Sequence, residues 1–263
     1  MSSLQLTNVC ASPWGQALLQ DITVTLEPGT ILGLAGPNGA GKSSLLHLIA
    51  GDIQLSAGQL TFSDRSLSQW SPRERARHLA FLPQMSLLNF PYTVEEVVML
   101  GRIPHSSGYK ADMEIVGQAL QLTDTVSLRH RLYTQLSGGE KQRTQLARIF
   151  AQICGEESLT DSLLLLDEPT SSLDLAHQQQ VLGAVGQLAH RGCTVVLVIH
   201  DLNLAASIAD QVLVLDKGRQ AALGRPNQVF TTELFSEVFA VDVTISSHPQ
   251  EGYPMVIPRR RAF

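Results

Sequence analysis

The chain has 263 residues, 44% of them hydrophobic and 16% charged, with a formal net charge of −5. That length can bury a proper core, so one large domain, or one domain with a subdomain, is expected. The slight acidity argues against a nucleic-acid partner, which selects for a basic surplus; the basic run 259–261 is too short to change this.

Cys10, Cys154 and Cys193 are widely separated and form no C-x-x-C pair, so neither a disulfide framework nor a zinc site is expected, and a reducing cytosol fits. The longest apolar runs, LLLL (163–166) and VVLVI (195–199), are strand-sized and far below the ~20 residues of a membrane-spanning helix. The N-terminus lacks a basic-then-apolar signal sequence. Work at a membrane would therefore need another chain to span it.

In chain order, LQLTNV (4–9) and DITVTLEPG (21–29), punctuated by turns at 13–15 and at Pro28-Gly29, predict an antiparallel appendage. TILGLA (30–35) is the first of a series of strand-like runs that continues with SLLLLD (162–167), TVVLVI (194–199) and QVLVLD (211–216). Helical stretches lie between them, which predicts a parallel α/β sheet covered on both faces. Over 85–151 strand signals give way to helix starts: TVEE (93–96) is a capping box, and QALQL (118–122) lies in a helical stretch. This segment, beginning about Met85, is expected to be a helical insertion in the α/β core. The last segment, 219–263, predicts short strands and a helix near 232–239, ending in a small peripheral piece.

GPNGAGKS, that is Gly36, Pro37, Asn38, Gly39, Ala40, Gly41, Lys42 and Ser43, fits G-x-x-x-x-G-K-[ST] between a strand and the helix SLLHLIAG (44–51). The glycines let backbone N–H groups wrap a triphosphate, Lys42 supplies a point charge to its outer phosphates, and Ser43 offers a hydroxyl to Mg²⁺. ATP and Mg²⁺ are the expected ligands. LLLLDEP (163–169) is a buried strand ending in two carboxylates, which are costly there unless compensated. Asp167 is placed to reach Mg²⁺ through its water shell, and Glu168 is the natural general base for water attacking the γ-phosphate. His200 ends TVVLVIH beside the strand that carries Glu168 and is expected to polarise the site or sense the γ-phosphate. Gln84, in FLPQ, could reach Mg²⁺ or the attacking water.

LSGGEKQR (136–143) opens a further helix: Ser137 and Glu140 form an S-x-x-E capping box, and Leu146, Ile149, Phe150 and Ile153 follow at helical spacing. Gly138 and Gly139 each cost about 0.5–1 kcal/mol against alanine in a helix, so something is expected to approach their backbone closely. A bare helix N-terminus with a serine hydroxyl attracts an anion. One P-loop already cradles one triphosphate, so in a two-fold dimer each such helix would complement the partner's nucleotide.

In order and approximate spacing, the P-loop, Gln84, LSGGEKQR, LLLLDEP, SSLD (171–174) and His200 resemble the ATP-binding subunits of ABC transporters over nearly the whole chain. That resemblance implies a P-loop NTPase core of the ABC ATPase kind, with an N-terminal antiparallel β subdomain and an inserted α-helical signature subdomain. It implies that Ser137, Gly138 and Gly139 act in trans and that Asp174 sits at the dimer seam. Trp14 in SPWG falls near the family's adenine-stacking aromatic, usually a tyrosine, or is a plain loop tryptophan; Ser44 stands where threonine is usual and keeps the hydroxyl. FPYTVEEVVMLGRIPH (90–105) lies where such subunits grip a membrane partner's coupling helix, although its spacing also suits a core helix.

Within the family, NFPYTVEEVVMLGR, LDLAHQQ and HDLNLAASIAD are similar to importers of iron chelates and vitamin B12, and the tail SSHPQEGYP to haemin importers. The implied protein is the ATPase of a bacterial haemin importer, peripheral on the cytoplasmic face of the inner membrane. It would act as a homodimer with two transmembrane permease subunits and a periplasmic solute-binding protein. An importer of ferric siderophore or cobalamin, and a soluble ABC-type ATPase acting on ribosomes or DNA, are the alternatives.

Overall fold

The computed structural model describes residues 3–84, 88–155 and 158–259, the side chain of Trp14 excepted. Ten strands, β1 (Leu4–Ala11), β2 (Leu19–Leu26), β3 (Ile31–Ala35), β4 (Ala57–Phe62), β5 (Arg65–Ser66), β6 (Leu79–Leu82), β7 (Leu163–Asp167), β8 (Thr194–Val198), β9 (Gln211–Asp216) and β10 (Arg219–Gly224), form one sheet in the order β5-β4-β1-β2-β10-β9-β3-β8-β7-β6. The stretch β9-β3-β8-β7-β6 is parallel throughout. β1 pairs antiparallel with both β2 and β4, and β10 links the two regions, antiparallel to β9 and parallel to β2 through Arg219 and Gln20.

The helices are α1 (Lys42–Ala50), α2 (Pro72–His78), α3 (Val94–Met99), α4 (Tyr109–Leu122), α5 (Gly138–Ile153), α6 (Leu175–His190), α7 (Leu202–Ile208), α8 (Pro226–Val229) and α9 (Thr232–Phe239). Strand alternation divides the core between the sheet's faces. Leu163, Leu165, Val196, Val198, Leu32 and Leu34 pack with Leu45, Leu46 and Ile49 of α1 and with the antiparallel strands. Leu164, Leu166, Val195 and Leu197 face the other way, onto Val97, Val116, Phe150 and Val185 of α3 to α6. Burial on both faces explains why these strands read as unbroken apolar runs.

The expected strands and helices are present, with shifted ends. β8 stops at Val198, two residues short of His200, and α5 runs on to Ile153. Met85, the expected first residue of the inserted helices, lies outside the described residues, as do Arg260 and Arg261 of the basic run. α3, α4 and α5 share one apolar cluster with the sheet rather than building their own.

The far end of α5 is closed by a side chain from another segment. Buried Arg102 donates to the carbonyls of Ala151 (2.7 Å) and Cys154 (2.6 Å), to the Asp112 carboxylate (2.8 Å) and to the Ser107 hydroxyl (3.1 Å). The tail forms a hairpin of β11 (Val243–Ser247) and β12 (Pro254–Pro258) that docks on α7. There the Asn203 amide accepts from Val256 N (2.7 Å) and donates to Val256 O (3.3 Å), as a neighbouring strand would. Among the described residues no helix is long and apolar enough to cross a membrane.

Candidate active site

The loop 36–43 follows β3 and leads into α1. Gly36 has φ +142°, and an added Cβ would stand 2.2 Å from the Leu215 carbonyl of β9, so only glycine fits. α1 begins at Gly41, a left-handed N-cap with no side-chain hydrogen bond, which leaves its first-turn N–H groups available to an anion. Lys42 is buried, and its Nζ donates to the carbonyls of Gly36 (2.8 Å) and Pro37 (2.9 Å), so the loop curls around its own cation. Burial lowers the lysine pKa, while the Glu168 and Asp167 carboxylates pull it back up.

Asp167 ends β7 with 2% of its surface exposed, and its Oδ1 has no hydrogen-bond partner. Burial raises its pKa; the neighbouring Ser43 hydroxyl opposes the rise and the Glu168 charge adds to it. A buried, orphaned carboxylate oxygen beside a serine hydroxyl is a set of hard oxygen donors that suits Mg²⁺.

Glu168 turns out of the sheet with φ +52°, a left-handed conformation, and its N–H donates to Val198 O (3.1 Å). One carboxylate oxygen, Oε1, then meets Gln84 Nε2 at 3.0 Å and His200 Nε2 at 2.5 Å. The three residues leave the ends of the adjacent strands β6, β7 and β8, so strand order alone brings them together.

At the start of α5, Ser137 Oγ accepts from Glu140 N (3.3 Å) and Glu140 Oε2 accepts from Ser137 N (2.8 Å), the expected capping box. The reason for the glycine pair is only partly found within the chain. An added Cβ on Gly139 would stand 3.1 Å from Ser172 O, whereas one on Gly138 meets nothing within 4 Å. Asp174 caps α6, its Oδ1 accepting from His177 N (2.9 Å) and meeting His177 Nδ1 (2.7 Å). Ser44 lies in the first turn of α1, half-buried. The side chain of Trp14 lies outside the described residues.

Sequence reasoning did not single out Gln142 or Gln178. Both amides reach the backbone just after Glu168, a tertiary contact for which a glutamine in a helix gives no signal.

The segment 90–105 has the buried stripe expected of a core helix together with exposed apolar side chains. Val94, Val97 and Val98 are core, while Phe90, Tyr92 and Ile103 stand exposed around them.

A P-loop after β3, followed across the sheet by a histidine, two carboxylates and a glutamine at the ends of β8, β7 and β6, together with the capped glycine pair of α5, defines an ATP-binding cassette. Residues 19–171 match the ABC transporter family, and the chain belongs to it as an ATP-hydrolysing transporter subunit. Its relatives include the hemin import ATP-binding protein HmuV of Pseudomonas entomophila (strain L48), 50% identical over 242 residues that cover 92% of this chain and 94% of the relative. The protein of the same name from Myxococcus xanthus (strain DK1622) is 48% identical over 246 residues, covering 93% and 92%. Among solved structures, a metal-chelate type ABC transporter in an inward-facing conformation is similar with a TM-score of 0.81 and 28% identity, covering 98% of both chains.

Proposed function

We propose that the chain is the ATPase of a bacterial haemin importer, working as a homodimer on the cytoplasmic face of the inner membrane with two permease subunits and a periplasmic solute-binding protein. The observation that carries the catalytic part is the Glu168 carboxylate, gripped on one oxygen by Gln84 and His200 beside the P-loop lysine's pocket. The names of the relatives support haemin as the cargo, and the exposed Phe90, Tyr92 and Ile103 support docking to a membrane-spanning chain.

The phosphates of ATP lie along Gly36, Pro37, Asn38, Gly39, Ala40 and Gly41, and Lys42 exchanges its two carbonyl partners for phosphate oxygens. Ser43, Asp167 and the Gln84 side-chain oxygen would hold Mg²⁺, which would supply positive charge to offset that of the phosphates. Glu168 takes the proton of the attacking water, and His200 steadies that carboxylate and faces the γ-phosphate. By the family resemblance Trp14 would stack on adenine, the alternative being a plain loop tryptophan, and Ser44 adds a hydroxyl to the cradle. Ser137, Gly138, Gly139 and Asp174 of each subunit complete the site of the other; the open space at Gly138 supports this.

The test is the ATPase rate of the complete reconstituted complex, presented in turn with binding protein loaded with haemin, a ferric siderophore or cobalamin. Stimulation by haemin alone is expected. Stimulation by another ligand discards the cargo, and no response to any of them discards the importer.

A further inference from the structure

Between β7 and α6 the chain turns through residues 168–173, and the carbonyls of this turn are received by two glutamine amides. Gln142, in the second turn of α5, directs Nε2 at Glu168 O (3.5 Å) and Pro169 O (3.4 Å). Gln178, in the first turn of α6, directs Nε2 at Thr170 O (3.3 Å) and Leu173 O (3.2 Å). Ser171 adds its N–H (3.3 Å) and hydroxyl (3.2 Å) to Glu168 O. The turn starts at a glutamate with φ +52°, a conformation that a non-glycine residue keeps only where its surroundings enforce it. None of these donors touches the Glu168 carboxylate; all act on the backbone that aims it.

The two amides differ in what else their helices do. Gln142 lies one turn along α5 from Gly138, on the same helix face, and an added Cβ on Gly138 would meet nothing within 4 Å. Gly139, beside it, packs its backbone against Ser172 O of the same turn, so a movement of α5 reaches the turn at two points. The Gln142 bonds are slack, and drawing α5 inward by about 0.5 Å brings them to ordinary hydrogen-bond length. Glutamine suits the task because its neutral amide offers two N–H donors to two carbonyls, whereas a glutamate of the same shape would repel both.

We infer that Gln142 is a positioning residue that ties the aim of Glu168 to the seating of α5 against the other subunit's nucleotide, while Gln178 holds the far end of the same turn whatever the seating. This rests on Glu168 being the base and α5 acting in trans.

The test uses the complete reconstituted complex with Gln142→Met, which keeps the shape and loses the donors, Gln142→Glu, Gln178→Met, and Glu168→Gln. The readouts are kcat, KM for ATP, the Hill coefficient for ATP, thermal midpoint, and ATP-driven association of the ATPase subunits in the Glu168→Gln background. Both Gln142 variants are expected to lower kcat by about ten- to a hundred-fold, the scale of a misaimed catalytic group. KM should stay within about two-fold and association be unaltered, since ground-state binding is untouched. The Hill coefficient falls towards one in the Gln142 variants and not in Gln178→Met.

An unchanged kcat in Gln142→Met overturns the inference, as does a wild-type Hill coefficient of one, or kcat, KM and thermal midpoint moving together. If Gln142→Glu does not fold, Gln142→Met decides alone. Turnover surviving in Glu168→Gln is a different failure, because it removes the base itself; a dead Glu168→Gln with a fully active Gln142→Met removes only the role of Gln142.

Discussion

Two helices of this chain, α1 and α5, present their N-termini to phosphate in the proposed function, and they are built differently at both ends. α1 starts at a left-handed glycine with no side-chain cap, carries Lys42 in its first turn, and ends at left-handed Gly51, whose N–H returns to the carbonyls of His47 and Leu48. α5 starts with a reciprocal Ser137/Glu140 cap, its Glu140 also receiving Arg131 Nη1 (3.1 Å), and ends against buried Arg102. The first is a cradle assembled by one chain and left polar until a ligand arrives. The second has a reciprocal side-chain cap on the N–H groups of Ser137 and Glu140, and an added Cβ on Gly138 meets nothing within 4 Å. A helix capped by its own side chains while keeping an open glycine is suited to receive a second molecule.

Removing one group from each arm of the site breaks the comparison most forcefully. Lys42→Ala and Glu168→Gln are both expected to lower the complex's turnover by about a thousand-fold or more. Only Lys42→Ala should also lose nucleotide binding, which a fluorescent ATP analogue reads directly. Equal binding losses would mean that Glu168 belongs to the cradle.

Next in size is the far end of α5. Arg102→Met strands the Asp112 carboxylate and two helix carbonyls, and is expected to lower stability by about 3–5 kcal/mol in denaturant titration. A midpoint that stays put would show that α5, like α1, needs no outside help at its C-terminus.

The glycines give a smaller and sharper contrast. Gly138→Ala should stabilise the isolated chain by about 0.5–1 kcal/mol, because its Cβ meets nothing within 4 Å, yet slow the dimeric complex. Gly36→Ala, aimed at the Leu215 carbonyl, should destabilise the chain. If Gly138→Ala stabilises the chain and leaves the complex's ATPase rate unchanged, the space at Gly138 has no tenant.

The smallest effect is on pH dependence. Burial raises the Asp167 pKa, so the folded chain keeps this proton to higher pH than the unfolded chain. Its contribution to stability is full below the ordinary aspartate pKa of 3.8 and is lost as pH rises through the raised value. Glu140 has the opposite sign: the Ser137 backbone N–H lowers its pKa, so its contribution is present above the ordinary value of 4.5 and is lost as pH falls through the lowered one. Thermal midpoints against pH for Asp167→Asn should show a flatter decline than wild type, and an unaltered slope would remove the burial penalty from the account.

Much of this was legible because it is local or follows from strand order. The P-loop glycines, both capping boxes of the inserted segment and the apolar strands each carry their reason within a few residues. Gln84, Glu168 and His200 lie far apart in sequence, yet each follows a strand, and adjacent strand ends must converge.

What stayed hidden depends on a neighbour chosen by the tertiary fold. LGRIPH gives no hint that its arginine is buried under the end of α5, and KQR none that its glutamine donates to the carbonyl of Glu168. The carbonyl of Ser172 supplies the close approach at Gly139 from inside the same chain, where the glycine pair alone pointed outward.

In the proposed function a bound nucleotide would engage the Asp167 oxygen and the Lys42 ammonium, which would link the stability of the chain to the energy charge of the cell. A ligand held only by the native state adds about 2.7 kcal/mol at a hundred times its dissociation constant. Starvation would withdraw that protection and enlarge the unfolded fraction open to proteolysis, so that subunits left without fuel are degraded first.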